Sequence, residues 1–212
     1  MSENIMGPIP RTPLYSFFRP LGWLLFHTIY PVRVVNPDGL RRRRAPYLLI
    51  ANHNSNLDAL LLAHLCPYEL RFLAKRELIK GRISDWFFEK KLKIIPVSRK
   101  EFDLQAMRAC LKALKDGDAL CVFPEGTRQL KQLMERVEKG VAFLAMRQKV
   151  DMVPVYIHGR LKPFRLNRAI VGEPMSAGEY PQGAYSEEKA DALCASIRSA
   201  FYRLRDRLLK AR

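Results

Sequence analysis

Short apolar runs alternate with stretches of helical length along most of this 212-residue chain. Residues 47–51, 70–74, 93–97, 119–123, 152–157 and 169–171 read as strands, and residues 57–65, 103–115 and 130–147 as helices between them. Strand runs that are apolar on both sides and separated by helices predict a sheet buried on both faces. The last element spans about residues 186–210, where Leu193, Ile197, Phe201, Leu204 and Leu208 recur at helical spacing. Glu187 and Glu188 stand where a helix N-terminus favours anions, and basic residues gather toward the other end. The pattern predicts one α/β domain: a mixed, largely parallel sheet covered by helices.

Residues 13–32 depart from this alternation. They are crowded with large apolar groups, Phe17, Phe18, Leu21, Trp23, Leu24 and Phe26 among them, but Arg19 and Pro20 interrupt the run. A spanning helix needs about 20 predominantly apolar residues. The aromatic content and the flanking Arg11 and Arg33 suit a helix lying in a membrane interface, and a first helix packed on the domain's own core is the alternative. The Asn36-Pro37-Asp38-Gly39 turn signal follows. Residues 1–34 are therefore expected to form an N-terminal apolar helical segment and residues 35–212 the main domain.

At 48% hydrophobic the chain can bury a sizeable core, which excludes a disordered tail protein. Its formal net charge of +16 implies an anionic partner: nucleic acid, an anionic membrane or phosphorylated substrates. Residues 71–100 carry ten Lys and Arg against three acids, and Arg160, Lys162, Arg165 and Arg168 follow with no acid among residues 158–168. Cys66, Cys110, Cys121 and Cys194 form no C-x-x-C pair, so they are expected as buried, reduced thiols rather than disulfides or zinc ligands. The Met-Ser-Glu-Asn start lacks the features of a secretory signal.

Several apolar runs end in polar clusters, where ligands of such sheets bind. The first cluster is Asn52-His53-Asn54-Ser55-Asn56-Leu57-Asp58. Histidine suits proton transfer at neutral pH, and a carboxylate on its second ring nitrogen would fix its tautomer. Five residues of continuous helix turn about 500°, so His53 and Asp58 can meet only if His53 lies in the loop and the helix starts near Ser55. A capping box between Ser55 and Asp58 reads the same residues without catalysis. Both readings stand. The second cluster, Phe-Pro-Glu-Gly-Thr-Arg at 123–128, places Glu125, Gly126, Thr127 and Arg128 after a strand; Arg128 can bind a phosphate, or pair with Glu125. Ile94-Ile95-Pro96-Val97-Ser98-Arg99 and Met152-Val153-Pro154-Val155-Tyr156 are weaker alone.

In this order the four blocks resemble the glycerolipid acyltransferase family, which includes 1-acylglycerol-3-phosphate O-acyltransferases. The resemblance covers roughly residues 35–160, and its conserved-type motifs fall within residues 52–155. It implies that His53 is the general base for an acceptor hydroxyl and that Asp58 orients it. It implies that Arg99, Glu125, Gly126, Thr127 and Arg128 bind the glycerol-phosphate part of a lysophospholipid. The co-substrate implied is an acyl thioester, acyl-coenzyme A or acyl-carrier protein, with no bound cofactor and no metal. The implied setting is the cytoplasmic face of a membrane with an anionic surface, held peripherally or monotopically. Pro96-Val97-Ser98 before Arg99, Gln129, and Glu138 where a basic residue is usual depart from the family pattern. They keep open an acceptor other than lysophosphatidic acid, such as a lyso-ornithine lipid or a glycolipid. A non-catalytic basic membrane- or nucleic-acid-binding protein would explain the charge but not four ordered motifs.

Overall fold

A computed structural model describes residues 20–41, 44–66, 69–76, 94–98, 103–128, 132–180 and 185–211. Residues 20–24 are helical and run into a π-helical turn, Leu25–Ile29, which together form α1. There follow β1 (Val32–Val35), α2 (Asp38–Arg41), β2 (Tyr47–Ala51), α3 (Leu57–Leu65), β3 (Leu70–Lys75) and β4 (Ile95–Val97). The chain continues through α4 (Leu104–Lys115), β5 (Ala119–Val122), α5 (Lys139–Gln148), β6 (Met152–Ile157), β7 (Asn167–Val171) and α6 (Glu187–Lys210).

The seven strands form one sheet in the order β1-β7-β6-β2-β5-β3-β4. β2 lies at its centre, parallel to β5 on one side and β6 on the other, and all five of its side chains are buried. Such a strand has no solvent face, which is why it reads as an unbroken apolar run. β6 and β7 pair antiparallel and β1 follows β7 in parallel, so these two strands oppose the rest. The carboxyl ends of β2, β4, β5 and β6 therefore open on one edge of the sheet.

Period-two alternation divides the core. Leu48 and Ile50 face a layer that includes Ala106, Leu114, Leu144, Ile197 and Phe201 of α4, α5 and α6. Tyr47, Leu49 and Ala51 face Phe26, Leu40, Leu61 and Leu62 of α1, α2 and α3. Proline in a central strand removes a ladder donor. Pro154 is accommodated because its carbonyl faces β7, accepting from Gly172, where the regular β6–β7 pairing stops. A Cβ on Gly172 would stand 2.9 Å from Pro154 and 3.0 Å from Leu204, so only glycine permits this approach.

Asp103 caps α4 by accepting from Ala106 N–H, and Ser186 caps α6 by accepting from Lys189 N–H. Arg168, expected on a basic surface, instead donates to the Leu208 and Ala211 carbonyls at the end of α6. Cationic donors suit a helix C-terminus. The helix expected over 130–147 begins only at Lys139. Residues 132–138 are irregular because Met134 has φ 52°, its N–H goes to Glu125, and Arg198 holds the carbonyls of Met134 and Glu135.

At the N-terminus the helix packs on the core through one buried side chain. Phe26 is buried in the core, while Leu21, Trp23, Leu24 and Ile29 are exposed. β1, absent from the expected strands, crosses the boundary drawn at residue 34, because Val32–Val35 completes the sheet edge beside β7. Among the described residues no helix is long and apolar enough to cross a membrane.

Candidate active site

β2 ends at Ala51 and the next residue holds the loop in place. The Asn52 side chain accepts from Ile157 N–H at 2.8 Å and donates to Ile157 O at 2.9 Å, extending the β2–β6 pairing through a side-chain amide. Asn54 Nδ2 donates to the carbonyls of Ile157 and Gly159. Buried amides satisfied this way rigidify the segment between them. That segment is His53.

The His53 ring stacks on Phe123, the residue after β5, with centroids 4.1 Å apart. Its Nδ1 lies 3.2 Å from Asp58 Oδ2. Asp58 is fully buried, and the same oxygen accepts the N–H groups of Asn54 and Ser55 at 2.6 Å each, while Oδ1 accepts the Ser55 hydroxyl at 3.1 Å. Four donors and a position in the first turn of α3 stabilise a carboxylate there without a cation. The helix starts at Leu57, close to where the dyad requires; the capping box forms only in half, since Asp58 accepts the Ser55 N–H while the Asp58 N–H goes to the Ser55 carbonyl rather than its hydroxyl. With Nδ1–H turned toward Asp58, Nε2 is the ring nitrogen left with a lone pair, and the side chain is 19% exposed.

Glu125 does not pair with Arg128. Its Oε2 accepts the main-chain N–H of His53 at 2.9 Å and its Oε1 accepts that of Met134 at 2.9 Å. Burial raises its carboxyl pKa, and the two main-chain donors oppose that rise. Glu125 is thus committed to positioning the loop, a long-range role that sequence reasoning missed. Gly126 turns at φ 65° against the Glu138 side chain, 3.1 Å from where a Cβ would stand. Glu138 itself pairs with Arg136 at 2.9 Å in an exposed ion pair. Thr127 and Arg128 are exposed, and among the described residues Arg128 makes no ion pair.

Arg99 lies outside the described residues, which reach Ser98. The Ser98 N–H donates to Asp103 Oδ2 at 2.7 Å, so the end of β4 is tied to the cap of α4. Backbone hydrogen bonds from Ala106 and then Ser98 lower the Asp103 pKa. The four cysteines are free and buried, and burial pushes the Cys110 thiol up to about 12. His158 leaves the same sheet edge and its Nδ1 lies 3.2 Å from the Tyr156 hydroxyl.

The site is thus a buried carboxylate beside an imidazole at the carboxyl edge of a largely parallel sheet, with an arginine on the neighbouring loop that makes no ion pair among the described residues. The chain belongs to the Acyltransferase family, whose profile matches residues 31–158, more than half of its length. It is 31% identical over 163 residues to a probable 1-acyl-sn-glycerol-3-phosphate acyltransferase of Mycoplasma pneumoniae, covering 72% of this chain but 58% of that protein. It is 24% identical over 185 residues to the 1-acyl-sn-glycerol-3-phosphate acyltransferase of Bacillus subtilis, covering 84% of this chain and 89% of that one. Its fold resembles the crystal structure of the 1-acyl-sn-glycerophosphate acyltransferase PlsC of Thermotoga maritima, with a TM-score of 0.70 and 24% identity over 94% of this chain and 80% of that chain.

Proposed function

We propose that the protein transfers a fatty acyl group from a thioester donor to the free hydroxyl of 1-acylglycerol-3-phosphate, giving phosphatidic acid. The observation that carries this is the His53–Asp58 contact, which leaves Nε2 as the available base. Nε2 takes the hydroxyl proton as the acceptor oxygen attacks the thioester carbonyl. The resulting imidazolium is stabilised by Asp58 and returns the proton to the departing thiolate, so an ester and a free thiol leave. No covalent acyl-enzyme forms at any step, and the reaction needs no resident cofactor.

Arg128, which makes no ion pair among the described residues, is the proposed phosphate contact, with Arg99 completing the site and Gly126 and Thr127 shaping the turn. The Arg136–Glu138 ion pair partly offsets the carboxylate beside Gly126, which supports a phosphate over a cationic headgroup. The +16 charge then serves lipid phosphates and the phosphates of coenzyme A, or an acidic acyl-carrier protein, rather than nucleic acid. α1 is the proposed peripheral contact with an anionic membrane, on its cytoplasmic face.

Acyl transfer to lysophosphatidic acid, from acyl-coenzyme A and separately from acyl-carrier protein, tests the reading. Turnover exceeding that on an uncharged or amino-acid lysolipid supports it. Preference for either of those acceptors replaces the phosphate assignment while leaving the dyad in place.

A further inference from the structure

We propose that the β6–β7 loop, residues 158–166, is a membrane-inserting element that seats Phe164 and Leu166 among the acyl chains of an anionic bilayer beside the active site. Phe164 is 80% exposed and Leu166 63%. Isolated exposed apolar residues are ordinary, but these stand on a loop that is built to present them. Asn167, buried, accepts the Lys162 N–H and donates to the carbonyls of Pro31, Lys162 and Arg165. Phe164 holds φ 55°, a left-handed conformation that glycine or asparagine adopts readily and a bulky aromatic rarely does. A phenylalanine kept there, exposed and against its backbone preference, marks the side chain itself as the reason for the loop.

The surroundings name the occupant. Arg160, Lys162 and Arg165 flank the apolar tip, all exposed and without an ion pair among the described residues. An apolar tip inside a basic rim matches lipid tails beneath phosphate headgroups, each basic residue near such a surface strengthening attachment about fivefold. The Phe164 N–H donates to Ile29 O at 2.6 Å, at the end of α1, whose Leu21, Trp23, Leu24 and Ile29 are also exposed. The other end of the loop is gripped where Asn54, next to His53, donates to Gly159 O at 2.9 Å. The loop is thus tied both to the end of α1 and to the segment bearing His53, and insertion would bring the His53 edge of the sheet close to lipid.

The proposal rests on the lipid-substrate reading above, and the test separates the two. All four native cysteines are buried, so Phe164→Cys in the full chain can carry an environment-sensitive fluorophore, with Ser199→Cys on α6 as the control. On vesicles of phosphatidylglycerol and phosphatidylcholine, the label at 164 shifts to the blue and is quenched by lipid-borne spin labels, while the label at 199 does not respond. Phe164→Asn with Leu166→Asn lowers vesicle affinity about tenfold, keeps or raises the melting temperature, and leaves turnover on detergent-dispersed acceptor unchanged. Sedimentation of the chain with vesicles while the label at 164 stays in water overturns the loop proposal and spares the membrane reading. No sedimentation at all overturns both. A shift without vesicles that grows with protein concentration assigns the surface to a second copy of the chain and overturns the proposal.

Discussion

Glu125 accepts the main-chain N–H of His53 at 2.9 Å, so the most distinctive motif of the chain is anchored to the loop that carries the proposed base. Its other oxygen holds Met134, whose carbonyl is held in turn by Arg198 of α6. The carboxylate thus ties the His53 loop to residue 134, and each contributes a main-chain N–H that would otherwise be stranded.

Glu125→Gln preserves volume but replaces one acceptor oxygen with an NH2 group, which cannot accept from the N–H that faces it. Turnover falls about tenfold or more, the order expected for a misplaced base. The pH dependence has the opposite sign from an ordinary ion-paired carboxylate. Because burial raises this pKa, ionising it in the fold costs stability as pH rises from about 4.3 through the raised value. The melting temperature of Glu125→Gln relative to the wild type therefore increases as pH rises from about 4.3 through the raised folded-state value. A constant difference would contradict the assignment.

Asp58→Asn puts an amide where three donors converge on one oxygen or where the Ser55 hydroxyl donates to the other. Turnover falls by about 10² or more, as for loss of an orienting carboxylate. Asp58→Ala additionally loses about 2–4 kcal/mol through the stranded N–H groups of Asn54 and Ser55. Chemical denaturation checks the second value. A stable but inactive Asp58→Ala would separate the dyad from the cap.

The strands and helices legible in the sequence are those whose local pattern and environment agree. Tyr47–Ala51 and Met152–Ile157 are buried on both faces and appear as uninterrupted apolar runs, and α6 announces itself by Ser186, Glu187 and Glu188. β1 was hidden because a four-residue edge strand directly continues the apolar N-terminal run. The late start of α5 depends on Glu125 and Arg198 reaching residues 134 and 135 across the fold, which no local pattern records. The spacing of His53 and Asp58 was readable together with its condition, a helix beginning between them. The bond from Glu125 to the backbone of His53, 72 residues away, was not.

Arg128→Ala leaves the scaffold intact, since the side chain is exposed and has no ion-pair partner among the described residues. KM for lysophosphatidic acid rises about tenfold with a smaller change in kcat, the loss expected for one charge-assisted hydrogen bond. Arg128→Lys restores part of the loss, because an ammonium keeps the charge but not the bidentate geometry. Unchanged KM in Arg128→Ala would move the phosphate elsewhere.

Asp103→Ala removes the α4 cap and the tie to Ser98, costing about 1 kcal/mol at neutral pH. The folded-state pKa is lowered, so this contribution is complete above the unfolded value of about 3.9 and is lost as pH falls through the folded one. The stability gap between wild type and variant consequently narrows in acid. A gap independent of pH would show that the carboxylate charge has no part in the cap.

The most direct test of the proposed mechanism is acyl transfer to lysophosphatidic acid by His53→Ala beside the wild type, with both thioester donors and with melting temperatures measured in parallel. The dyad mechanism predicts a loss of about 10³ or more in kcat, the range for removing a general base, with little change in melting temperature because the ring stacks on Phe123 at the surface of the site. Equal turnover by the folded variant would remove His53 as the base.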